Sequence, residues 1–321
     1  MTSRIESGWI AQAGPYHSFP ALTGSVTTDW LVIGGGFTGL SAARELAERC
    51  PGQRIMLFDA KKIAQGAAAR NSGLNVGFDL PGFTRETAAS DMPDYLARTR
   101  IDIAGAQENE RLIRSLGIDC DYLPTGFHYA VHDPAQFAKA TALAAMLQDA
   151  GATAEVIEGD AVPARFGTAF YRRALHIGGG GNGTLQPAKF AKALVDHMPA
   201  PVELHEDTPA LTLSPAPGGG AVVTVPGGQI TARKVILALN GLLPRFGYKR
   251  FRMVPLTLTA SLTRPLTAEE DTSIGRPEPW AALCPIKGGT TARLTQDRRI
   301  LIRNTAEYRP AGVDAAGIGF A

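Results

Sequence analysis

The chain has 321 residues, 45% of them hydrophobic and 19% charged, a globular composition long enough for about two domains of 100 to 200 residues. Lysines and arginines number 32 against 30 acids, a net charge of +2, which leaves no general electrostatic pull toward nucleic acid or an anionic membrane. Disordered, nucleic-acid-coating and membrane-spanning classes are therefore set aside.

In chain order, residues 1–28 are rich in Pro, Gly and Ser and read as an arm leading into the fold. They lack the apolar core of a signal peptide, and no later segment has the roughly 18 apolar residues of a spanning helix, so a cytoplasmic location is expected. From 29 to 58 a strand, a glycine turn, a helix and a second strand, "RIMLF", form a β-α-β unit. The helix begins near Phe37 with Leu40, Ala43, Leu46 and Ala47 on one face. Residues 91–116 and 133–150 read as helices flanking a strand at "GFHYAVH", and Pro187 to Met198 as a helix with proline in its first turn. Apolar runs at 202–205, 209–213, 221–225 and 229–239, separated by glycine turns, read as a strand meander ending in "KVILALN". A β-rich block follows from Val254 to Ile302, where Arg298, Arg299 and Arg303 are expected as charged flanks of a strand rather than a phosphate patch. Cys50, Cys120 and Cys284 are far apart and in no C-x-x-C arrangement, so free thiols are expected, without disulfide or zinc.

"DWLVIGGGFTGLSAARELAE" holds Gly34-x-Gly36-x-x-Gly39. In a dinucleotide-binding turn the first glycine permits the tight bend, the second lets backbone approach a pyrophosphate, and the third lets the helix lie on the sheet. The helix N-terminus then offers unpaired N–H groups to the phosphates. Asp59, at the end of the next strand, stands where a ribose hydroxyl is held. A second match, Gly178-x-Gly180-x-x-Gly183 with Glu203 downstream, fails on context: "YRRALHI" is a poor buried strand and Pro187 delays the helix. A flexible loop before a helix is expected there.

Together these segments resemble the FAD-dependent D-amino-acid oxidase and glycine oxidase superfamily, in its γ-glutamylputrescine oxidase-like branch. "VIGGGFTGLSAARELAE" with "LFDA" resembles the FAD form of the fingerprint, and "IAQGAAARNSG" the segment that passes flavin and pyrophosphate. "GTLQPAKFAKAL" resembles the family's G-x-L-x-P helix start, "HEDTPALTL" its strand near adenine, and "ARKVILALNG" the strand closing the nucleotide domain. "RLTQDRRILI" resembles the substrate-domain signature. The resemblance implies an α/β (mixed α+β) fold: a Rossmann-like, GR2-type FAD-binding domain of residues 29–90 and 180–245 behind the 1–28 arm, interleaved with a β-rich substrate domain of 91–179 and 246–321.

It implies that Gly34, Gly36, Phe37, Thr38 and Gly39 surround the pyrophosphate of FAD, that Asp59 holds the adenosine ribose, and that Ala210 offers backbone to adenine. Arg70, Asn71, Ser72 and Gly73 would approach the flavin, with a solvated helix start as the alternative for Arg70 and Asn71. The implied reaction oxidises an amine or amino-acid C–N bond by hydride transfer to flavin, giving an imine that hydrolyses. Arg293 would pair with a substrate carboxylate or support the sheet, while His176 and Tyr129 would border the substrate or be structural. His128 and His132 read as an ordinary pair on a strand edge, with no metal site; no catalytic base stands out. Ala68 replaces a family serine. The family also continues with a strand and a glycine-rich loop not seen after "ILIRNTAEYRP", so a C-terminally truncated chain is expected. The alternatives are a catalytically incompetent relative, a partner-dependent subunit or, further off, a nicotinamide-dependent flavoprotein reductase. The oligomeric state is not legible.

Overall fold

The computed structural model describes residues 7–80, 92–253, 256–285 and 289–308. The first six residues of the arm, the 81–91 stretch and everything beyond 308 lie outside them, as does Val254, the expected start of the β-rich block. The strands are β1 (Gly24–Ile33), β2 (Ile55–Phe58), β3 (Leu74–Asn75), β4 (Phe127–Val131), β5 (Thr153–Glu158), β6 (Arg173–Gly178), β7 (Gly183–Thr184), β8 (Val202–His205), β9 (Thr212–Pro215), β10 (Ala221–Val225), β11 (Gly228–Leu237), β12 (Leu256–Leu262), β13 (Trp280–Leu283), β14 (Thr291–Leu294) and β15 (Ile300–Tyr308). The helices are α1 (Gly8–Gln12), α2 (Phe37–Arg49), α3 (Met92–Ser115), α4 (Ala140–Asp149), α5 (Ala161–Phe166), α6 (Pro187–Asp196) and α7 (Ala268–Ser273).

Two compact units emerge. One draws on Met1–Asn71 and Pro187–Leu256, the other on Ser72–Gln186 and Thr257–Glu307. The divisions fall at Asn71/Ser72 and Gln186/Pro187, while the expected 90/91 bound lies outside the described residues. The reason is local: β3 pairs antiparallel with β7, and Phe78 and Leu80 pack into the apolar cluster of the second unit.

The first unit is a sheet in the order β8-β2-β1-β11-β10-β9. β8, β2, β1 and β11 run parallel, and β10 and β9 add an antiparallel edge. All four β2 residues are buried, as expected of a parallel strand covered on both faces. The helix α2 crosses from β1 to β2, buries Gly39, Leu40 and Ala43, and stops before Pro51, which cannot continue a helix. Leu46 and Ala47 are only half-buried. The 202–205 run is no part of the antiparallel meander: Val202–His205 is the parallel neighbour of β2, and the meander is β9-β10-β11. The arm is also more structured than expected, since α1 and the first residues of β1 fall within it.

The second unit is a sheet in the order β12-β15-β14-β13-β4-β6-β5. Period-two alternation gives it two apolar faces. Phe127, Tyr129, Leu175, Ile177 and Ala281 pack with Ala140, Ala144 and Leu147 of α4, whereas Ala130, Ala174, Trp280, Ala282 and Leu294 pack with Val162 and Phe166 of α5. "YRRALHI" is therefore no poor strand: β6 lies between β4 and β5, with Ala174, Leu175 and Ile177 fully buried. His128 likewise sits inside the sheet and is 1% exposed, not on a strand edge. The expected 133–150 helix is a short turn of 3-10 helix, Pro134–Phe137, followed by α4.

Candidate dinucleotide site

The turn between β1 and α2 is shaped by what its glycines exclude. Gly34 adopts φ +110°, and a Cβ there would lie 2.5 Å from the Ala238 carbonyl oxygen. A Cβ on Gly39 would lie 1.8 Å from the Gly34 carbonyl oxygen and 3.3 Å from Val32, so this glycine is what lets α2 rest on β1. Gly36 differs. Its backbone, at φ −87° and ψ −174°, is open to any residue, and a Cβ there would meet nothing within 4 Å.

Gly36 is the N-cap of α2, with no side-chain cap bond and no acid in the first turn. The positive end of the helix dipole is therefore left without a protein anion, an arrangement that favours an anionic group there. A cradle open beside Gly36 and closed beside Gly34 and Gly39 fits a pyrophosphate.

Asp59 lies just past β2. One carboxylate oxygen accepts from Gly35 N–H at 2.8 Å and the other from Lys61 N–H at 2.9 Å. Each oxygen keeps a further acceptor position. Beyond it, Lys62–Ala64 lies against the turn: the Ile63 side chain occupies the space beside Gly35, and Ala64 N–H donates to the Gly35 carbonyl at 2.9 Å. Ala64 does so at φ +62°, a left-handed conformation costing an alanine about 1–2 kcal/mol. Glu206, 1% exposed, accepts from Ile63 N–H at 2.9 Å. Sequence reasoning missed this residue; its only mark is a carboxylate at a strand end.

The other expected site residues are placed as follows. The Arg70 guanidinium donates to the Gln65 carbonyl. Asn71 spends its amide on the Ala67 and Ala68 carbonyls, and its own carbonyl accepts from the Trp9 indole at 3.0 Å. Ala210 is half-buried against the cluster containing Leu31, Phe58 and Val223.

In the second unit, Arg293 is 2% exposed, and one of its guanidinium nitrogens donates to the carbonyls of Ser72, Gly73 and Leu185. Burial pushes this guanidinium down to about 10. Tyr129 is buried and donates its hydroxyl to Asp79; burial, then the Asp79 charge, holds the phenol far above its usual range. The half-buried His176 donates from Nε2 to the Thr125 carbonyl at 2.9 Å. His132 meets the Phe170 carbonyl through Nδ1. His128 directs Nδ1 at the Ala281 carbonyl, 3.1 Å away, and takes a bond from Arg165 on Nε2. Burial, then the Arg165 charge, lowers it to about 3.

The glycines of the second fingerprint are packed against neighbouring chain. A Cβ on Gly180 would meet the Phe78 ring at 2.7 Å, one on Gly181 the Ala106 backbone at 2.7 Å, and one on Gly183 the Leu123 carbonyl oxygen at 2.3 Å. It is a packed loop rather than a loose one. Glu203, the acid at fingerprint distance, pairs with Arg54.

The profile of the FAD dependent oxidoreductase (DAO) family matches residues 29–319. The chain belongs to this family. FAD is the family's cofactor, and the open flank of Gly36 accords with it. Within the family, the chain is 27% identical to gamma-glutamylputrescine oxidoreductase of Escherichia coli over 76% of its own length and 56% of the relative's. It is 27% identical to the probable oxidoreductase OrdL of Rhizobium meliloti over 70% of its length and 51% of the relative's. It thus spans little more than half of these curated relatives. Among solved structures, glycine oxidase from Geobacillus kaustophilus superposes with a TM-score of 0.65 at 18% identity, covering 91% of this chain and 75% of the other. An L-amino acid deaminase from Proteus myxofaciens gives 0.66 at 16% identity, covering 91% and 61%. Both share the family fold. Among the described residues no helix is long and apolar enough to cross a membrane.

Proposed function

We propose that this chain is an FAD-dependent, cytoplasmic oxidoreductase that oxidises the C–N bond of an amine or amino acid. The observation that carries the reading is the cradle beside Gly36: in a turn where neighbouring glycines are closed by their own chain, this one is open. Membership in an FAD-dependent family, with a gamma-glutamylputrescine oxidoreductase among the relatives, supports the reaction class.

In this reading Gly34, Gly36, Phe37, Thr38 and Gly39 enclose the pyrophosphate, whose charge the first-turn amides of α2 offset. Asp59 uses its outward acceptor positions for the ribose hydroxyls while its inward ones keep Gly35 and Lys61 in place. Ala210 offers backbone to adenine, and Arg70, Asn71, Ser72 and Gly73 stand toward the flavin. When bound, the flavin supplies the hydride acceptor, and the imine product hydrolyses in water. We assign Arg293 to holding the Ser72–Gly73 and Leu185 backbone, since one of its guanidinium nitrogens donates to all three carbonyls. Tyr129 and His176 remain candidates for the substrate border.

The test is to purify the chain, incubate it with FAD, remove unbound FAD by gel filtration and record the visible spectrum before and after anaerobic addition of amines and amino acids. A flavin band that bleaches with an amine supports the proposal. A well-folded protein that stays colourless with FAD overturns it, and bleaching by reduced nicotinamides alone overturns the amine reading.

A further inference from the structure

We propose that Glu206 is a positioning residue for the glycine turn and acts on it through Ile63. The two oxygens of this buried carboxylate divide their work: Oε1 accepts from Ile63 N–H at 2.9 Å, and Oε2 from Lys62 Nζ at 3.0 Å and Phe19 N–H at 3.2 Å. A buried charge persists only where donors replace water, and these donors come from the arm and from the 62–63 segment at once. Glu206 therefore pins Lys62 and Ile63 from behind.

Ile63, itself 2% exposed, passes the restraint forward. A Cβ on Gly35 would lie 2.9 Å from Ile63 Cγ1, so the two residues are in contact, and the Ala64 N–H holds the Gly35 carbonyl. With Asp59 accepting from the Gly35 N–H, the peptide groups on both sides of Gly35 are fixed and one flank is filled. Gly36 comes next and caps α2. Displacing Ile63 lets Gly35 turn, and the first amides of α2 lose their common aim. Glu206 touches none of these amides.

The consequence for FAD rests on the function proposed above; the restraint on the turn does not. The experiment therefore reads both. Glu206→Gln, Ile63→Ala, the double variant and Thr28→Val are made in the full chain. Thr28 is a buried hydroxyl of the same unit that bonds Trp30 and Arg54, so its variant controls for general loosening. Hydrogen–deuterium exchange of the 34–39 amides is followed without FAD, and FAD affinity by quenching of flavin fluorescence.

Glu206→Gln must place its amide N–H₂ against either Ile63 N–H or the Lys62 and Phe19 donors. It is expected to speed exchange in the turn about tenfold and to weaken FAD about tenfold, the scale of one lost charged hydrogen bond. Ile63→Ala should do the same. The double variant should exceed the larger single effect by less than about twofold, because both act on one path. Thr28→Val should leave both readouts within about twofold. Unchanged exchange in Glu206→Gln and Ile63→Ala, additive effects in the double variant, or equal loosening by Thr28→Val overturns the proposal. If either single variant fails to fold, the turn exchange of the other decides the result. A wild-type chain that does not take up FAD defeats the functional reading alone, because the exchange comparison still judges Glu206.

Discussion

Gly36 and Gly39 share one motif and carry opposite constraints. A methyl on Gly36 meets no protein atom within 4 Å, so Gly36→Ala should leave the urea midpoint unchanged while weakening FAD about tenfold or more, because the methyl stands where phosphate approaches. A methyl on Gly39 meets the Gly34 carbonyl oxygen at 1.8 Å. Gly39→Ala should destabilise the fold by about 1–3 kcal/mol or more, as overpacking does. Parallel urea titration and FAD titration check both. A destabilised Gly36→Ala or a tolerated Gly39→Ala would reverse the assigned tasks. The glycine spacing is legible in neighbouring residues, whereas the packing of Gly34 against Ala238 is not. Glu206 was not legible: its donors come from Phe19, Lys62 and Ile63, and nothing in "HEDT" announces an enclosed carboxylate.

Among the elements, those with signals at both ends were legible. The apolar run of β1, the glycine entry and Pro51 exit of α2, and the proline start of α6 all stand in the sequence. β6 was obscured because arginines and a histidine interrupt its apolar residues. The structure resolves this by pairing Arg173 with Glu158 of the adjacent strand and giving His176 a backbone carbonyl. The small helix α7 was overlooked, although Thr267 and Glu270 form a reciprocal capping box that the Thr-x-x-Glu pattern spells out. β4 carries a pH dependence. Burial lowers His128 to about 3, below the roughly 6.5 of an unfolded chain, so the unfolded state binds the proton first as pH falls. The contribution of neutral His128 is complete above about pH 6.5, and each unit below that, down to about 3, removes up to about 1.4 kcal/mol. Urea midpoints at about pH 7.5 and 5 should fall steeply for the wild type and less steeply for His128→Gln. Equal slopes would show that other groups set the acid sensitivity.

At the scale of the whole molecule, the chain divides into two units that each draw on separate stretches of sequence. Composition does not reveal that Leu74–Asn75 will pair with Gly183–Thr184, and that pairing draws both stretches into the second unit. The described sheet of that unit ends in β12, where Leu258 is 53% exposed. An edge strand presenting apolar side chains invites pairing with other chains. Leu258→Lys should reduce concentration-dependent light scattering while changing stability by no more than about 0.5 kcal/mol; unchanged scattering would mean that association uses another surface. The nucleotide sheet has a consequence for biosynthesis. The Gly34 bend closes against Ala238, whose N–H donates to Ile33, and β1 is flanked by Gly228–Leu237. A ribosome delivers Gly34 to Gly39 early, yet the wall that gives the bend its form arrives some two hundred residues later. Until then Leu31 to Ile33 have β2 on one side but lack β11 on the other, a long-range pairing of the kind that forms slowly and leaves apolar strands open to chaperones. Cofactor capture is therefore a late event in the making of this chain.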